Sequence, residues 1–68
     1  MCKIDRVISR CNSLIEELYY TGREITSNEY YVKSQKVERM LQYLREELKV
    51  SPLARKRKDK IETLIYIW

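Results

Sequence analysis

The sequence predicts an all-α protein: an antiparallel two-helix hairpin, then a basic C-terminal tail whose weaker stripe allows a short third helix. Three observations predict this class. The 68 residues include one Gly and one Pro, so few breaks are written into the chain. Apolar residues recur at steps of three and four in two long segments, the spacing of one helix face. Between those segments lies a short stretch with the residue types that end one helix and open another.

The elements follow in order. Ile4, Val7, Ile8, Cys11, Leu14, Ile15, Leu18 and Tyr19 fall on one stripe. Gly22 comes next, where a helix commonly ends in a left-handed residue. The first helix is therefore expected over about residues 3–21. Thr26-Ser27-Asn28-Glu29 has the capping-box pattern, a hydroxyl residue with Glu three positions later. Tyr30, Ser34, Val37, Leu41, Leu44 and Leu48 then alternate steps of four and three, a heptad seam with Ser34 as its one polar member. That helix is expected over about residues 27–49, with Lys49 suiting the negative end of its dipole. Residues 22–26 are too few for a long detour, so the two helices should pack as a hairpin over residues 1–50. Ser51-Pro52 restarts the chain, a good N-cap followed by a good first helical residue. In the tail, 51–68, Leu53, Arg57, Ile61, Leu64, Ile65 and Trp68 form the weaker stripe.

Composition excludes several classes. With 44% hydrophobic and 35% charged residues of nearly balanced sign, the chain is not a disordered one. A chain this short buries only about 60% of the surface it exposes unfolded, so its core is marginal and both monomer and homodimer fit. The longest apolar run, Leu64 to Trp68, has five residues, far short of the ~20 that span a bilayer. Met1 to Arg10 carries three cations and an anion through its apolar positions, so no secretory signal is expected there. Cys2 and Cys11 lie about 13.5 Å apart along a helix, too far for a disulfide. A small secreted chain usually carries several such bonds, so the cytoplasm is expected. Cys11 reads as core and Cys2 as a terminal thiol. The chain has no His to activate either thiol. A zinc site would need carboxylates or a second chain.

The charge is uneven. Residues 1–50 hold nine Lys/Arg against eight Asp/Glu, whereas 51–68 hold five against two. The run Arg55 to Lys60 suits the phosphates of nucleic acid, or a membrane surface. It equally suits a solvated helix face whose apolar side packs on the hairpin. The second reading is preferred, because Tyr66 and Trp68 are too far from the run to interleave with it as a stacking platform.

A polar row lies beside the seam of the second helix. At about 100° per residue from Ser34, the apolar seam falls between roughly −80° and −20°. Glu38 falls near 40°, Tyr31 near 60°, Gln42 near 80° and Gln35 near 100°, one row along the helix. A row of this kind is commonly a solvated face, and a seam serine commonly bonds back to the carbonyl four residues earlier.

The residues around Ser34 add a resemblance. Gly22, the run Thr26 to Lys33, and then Ser34-Gln35-Lys36-Val37-Glu38-Arg39-Met40-Leu41 are similar to the signature of the stage-zero-E-type sporulation phosphatases of spore-forming Gram-positive bacteria. These are small helix-loop-helix proteins whose second helix carries a Ser-Gln-Glu-Leu-Asp motif followed by an apolar pair. The resemblance spans roughly residues 3–48. Ser34 and Gln35 agree with the motif. Lys36, Val37 and Glu38 stand where Glu, Leu and Asp are usual.

The resemblance implies a phosphatase acting on the aspartyl-phosphate of the sporulation master response regulator, and so a negative regulator of sporulation. Such an enzyme needs no nucleophile, metal or cofactor. The receiver domain supplies a Mg²⁺ ion and a Lys, and the phosphatase orients water in line with the phosphorus. Gln35 is then the candidate to orient water and Glu38 to accept its proton. Ser34 is the third candidate, either bonding the phosphoryl site or fixing the helix. Tyr31, Lys36, Arg39 and Gln42 are the candidate contacts to the receiver. Two other classes stand beside this one: a non-catalytic helical interaction module and a small basic nucleic-acid-binding regulator.

Overall fold

A computed structural model describes residues 2–19 and 25–68. Helix α1 spans Lys3–Tyr19, α2 Ser27–Val50, α3 Pro52–Lys56 and α4 Lys58–Ile67. The described residues contain no strand, so the all-α expectation holds. The expected extension of α1 to residue 21, and Gly22 as its terminator, lie outside the described residues.

Each boundary has a local cause. Thr26 opens α2: its Oγ1 accepts the Glu29 N–H at 3.1 Å, and its carbonyl accepts the Tyr30 N–H. Caps of this kind stabilise by about 1 kcal/mol. The Glu29 carboxylate also lies 3.2 Å from Lys33 Nζ. Ser51 both closes α2 and opens α3. Its N–H donates to the Glu47 carbonyl, and its Oγ accepts from the Ala54 N–H at 3.4 Å. Pro52 takes the first turn of α3, where its missing N–H costs nothing. Arg57, at φ −103° and ψ 16°, breaks the tail into α3 and α4.

The third stripe closes the core. Ile4, Cys11 and Ile15 of α1 are buried with Val37, Leu41 and Leu44 of α2, and with Ala54, Ile61 and Leu64 of the tail. Leu53, Ile65 and Trp68 pack half-buried against that cluster. Burying Ile61 and Leu64 is worth about 1.5–3 kcal/mol each, a large share for a chain this small. Two contacts fix the direction of α4. Arg57 meets Asp5 near the start of α1 at 2.8 Å, and the Trp68 ring meets Tyr19 at the end of α1, 6.0 Å between centroids. Helix α4 therefore runs parallel to α1 and antiparallel to α2, a short third member packed on the two long helices.

The flanks of the α2 seam divide between the neighbours. Lys33 bonds Glu17 of α1 at 3.4 Å, and Lys3 of α1 sits 4.9 Å over the Tyr43 ring. Both place α1 on the Lys33–Tyr43 flank. Helix α4 also packs on α2, and the flank left to it carries Ser34.

Candidate functional site

The polar row is a product of helix geometry. Tyr31, Gln35, Glu38 and Gln42 stand at i, i+4, i+7 and i+11 on α2, within one strip along its axis. Tyr31, Glu38 and Gln42 are exposed and Gln35 is half-buried. Gln42 Nε2 donates to Glu46 Oε1 at 3.2 Å, which pins its amide along the helix. Neither Gln35 nor Glu38 has a hydrogen-bond or ion-pair partner among the described residues. A half-buried carboxamide and an exposed carboxylate thus stand one turn apart, unengaged, on a helix of 24 residues that is closed by Thr26 and Ser51.

Ser34 sits differently. Its side chain is half-buried and its Oγ is fully enclosed, with no hydrogen-bond partner among the described residues. The expected bond back to the Tyr30 carbonyl is not formed. An enclosed hydroxyl cannot reach a phosphoryl group carried by another molecule, and without a hydrogen-bond partner it fixes the helix by no bond of its own.

The structure does not bring all the candidate contacts together. Arg39 is exposed about 40° round the helix from Gln35 and can share a partner with it. Lys36 lies about 160° from Glu38, on the α1 flank. There it lines a groove of about 350 Å³ with Ser9, Arg10, Ser13 and Leu14 of α1 and Met40 of α2. A wheel drawn for α2 alone carries no trace of this groove, since four of its six residues belong to α1.

The basic tail spends its two arginines internally. Arg55 donates from Nε to the Leu48 carbonyl at 3.3 Å and from Nη2 to the Lys49 carbonyl at 2.8 Å, satisfying acceptors at the end of α2. Arg57 Nε donates to Asp5 Oδ1 at 2.8 Å, and this bond holds the Asp5 carboxyl below its ordinary value. Lys56, Lys58 and Lys60 stay exposed. The tail is thus the packed basic helix that was preferred in the sequence. Arg57, a lone cation on an apolar stripe, was the visible sign of a long-range partner.

Among the described residues no cluster of three or more His, Cys, Asp or Glu can hold a metal ion. No described helix is long and apolar enough to cross a membrane. Comparison with protein-family models, with curated proteins and with solved structures finds no match to this chain.

Proposed function

We propose that the chain is a protein aspartyl-phosphate phosphatase, acting in the cytoplasm on the phosphorylated receiver domain of a sporulation response regulator and so holding sporulation back. The resemblance around Ser34 supplies the substrate class. The observation that carries the reading is the pairing of Gln35, half-buried, and Glu38, exposed, one turn apart on a capped helix and unengaged within the described residues. A surface of this kind can enter a receiver's site without any loop having to order first, which spares conformational entropy.

An acyl phosphate has a good leaving group, so positioning is most of what it requires. The receiver brings Mg²⁺ with the phospho-aspartate. The Gln35 carbonyl oxygen accepts a hydrogen bond from water and aims its lone pair at phosphorus. As the O–P bond forms, the bond from phosphorus to the receiver's aspartate breaks and its electron pair stays on that carboxylate. The water proton passes to the Glu38 carboxylate and then to solvent, leaving inorganic phosphate. Tyr31, Arg39 and Gln42 border the pair and are the contacts to the receiver. Ser34, its Oγ enclosed, touches no reacting atom.

Phosphate release from a Mg²⁺-bound phosphorylated sporulation regulator tests this. Wild type is expected to accelerate release catalytically, and Glu38→Ala to lower kcat by about 10²-fold. Gln35→Ala is expected to lower it comparably, since small displacements of an aimed water cost about that much. Stable receiver binding with no turnover would make the chain an interaction module instead. Salt-dependent binding to DNA or RNA, with no receiver binding, would favour the nucleic-acid reading.

A further inference from the structure

We propose that the groove between α1 and α2 binds a small phosphomonoester carrying an apolar group, at a place separate from the Gln35–Glu38 strip. Its polar lining is of one sign. Arg10 comes from α1 and Lys36 from α2, with the Ser9 and Ser13 hydroxyls between, and no carboxylate lines the space. None of these four side chains has a hydrogen-bond or ion-pair partner among the described residues. The neighbouring Lys33 is the contrast: it is neutralised by Glu17 and Glu29, at 3.4 and 3.2 Å. Two unpaired cations held on two packed helices, with no carboxylate in the lining, make the site positive.

The chemistry of the donors selects phosphate. A guanidinium offers a planar fork to two oxygens, an ammonium offers a point charge, and each hydroxyl can donate to a third oxygen. The floor selects the rest of the ligand. Leu14 and Met40 are half-buried there and present apolar surface, with a thioether that adapts to flat groups. About 350 Å³ exceeds what one phosphate fills and lies at the small end of ligand pockets. A nucleic-acid strand would need cations spaced along a backbone, whereas this groove has two facing one concavity.

The larger groove, about 580 Å³ between α1 and α4, sharpens the choice. It holds Arg57 and Lys60, but also Asp5, which binds Arg57 at 2.8 Å. Asp5 neutralises Arg57 there, which leaves Lys60 as a single cation rather than a facing pair. Lys36 ties the proposed site to α2, yet faces about 160° away from Glu38, so a ligand there and a receiver on the strip do not compete for the same surface.

Titration of the full chain with phenyl phosphate, followed by amide shifts in ¹⁵N-labelled protein, tests the site. Saturable shifts are expected at residues 9–14 and 36–40. Affinity should exceed that for inorganic phosphate, because only the ester uses the Leu14–Met40 floor. Arg10→Gln with Lys36→Gln should weaken binding about tenfold or more, while Lys58→Gln with Lys60→Gln should leave it unchanged. Ser13→Glu, which puts an anion into the groove without removing either cation, should also abolish binding. Shifts centred on Lys56 to Lys60, equal affinity in the Arg10/Lys36 variant, or no saturation in wild type would each overturn the assignment. Because all the substituted side chains are exposed, folding of each variant is checked by its unchanged spectrum outside the groove.

Discussion

Cys2 and Cys11 carry the same thiol in opposite surroundings. Cys11 is enclosed by the apolar cluster, and burial pushes its pKa up to about 11, so it stays protonated and unreactive. At pH 8 an alkylating reagent should therefore modify Cys2 readily and Cys11 only through global unfolding. Comparable rates at both would contradict the core position of Cys11. Ser34 gives a second test. Its enclosed hydroxyl has no partner, and such a group costs about 1–3 kcal/mol. Ser34→Ala should leave stability equal or raise it by about 1 kcal/mol, with phosphatase activity retained. Loss of activity with stability unchanged would put Ser34 in the reaction itself. Asp5 supplies a pH signature. Its hydrogen bond from Arg57 lowers its pKa from 3.8, so the stabilisation is present above that value and is lost as pH falls through the lowered one. Asp5→Asn should thus lower Tm at pH 7 and match wild type in strong acid. A difference that does not shrink as pH falls below the ordinary carboxylate value would contradict the pairing.

At the scale of elements, the breaks between helices are held by single side chains. Ser51 closes α2 with its N–H and opens α3 with its Oγ. Ser51→Ala keeps the first bond and removes the second, so it should cost about 1 kcal/mol, or about 4–8 °C in Tm for a domain of this size. Thr26→Ala should cost about the same at the start of α2. These caps were legible in the sequence because they are local: donor and acceptor lie within three residues. The seam and the polar row were legible for the same reason, since one helical period places every member. What was not legible depends on how two helices are rotated against each other. Lys36 was a candidate contact to the receiver, and the packing of α1 puts it in a groove with Arg10. The Asp5–Arg57 bond joins residues 52 apart, and only the parallel course of α4 along α1 brings them together.

For the whole molecule, the tail is part of the core. Ala54, Ile61 and Leu64 share one buried cluster with the hairpin residues. A domain of this length is stable by about 3–10 kcal/mol, and Leu64→Ala should remove about 2–5 of those. Chain 1–50 alone should lose cooperative thermal unfolding, because the faces of α1 and α2 that meet α4 would lie in water. A sharp transition in that fragment would contradict the three-helix core. The fold thus serves the proposed chemistry by bracing α2 on two flanks while its outer strip stays open. The most direct measurement is the lifetime of a phosphorylated receiver mixed with a substoichiometric amount of this chain, set against Gln35→Ala/Glu38→Ala in the same chain. Wild type should shorten the lifetime over many turnovers, and the double variant should bind the receiver yet leave it to its own decay. Equal acceleration by both proteins, or none by wild type, would contradict the assignment of Gln35 and Glu38.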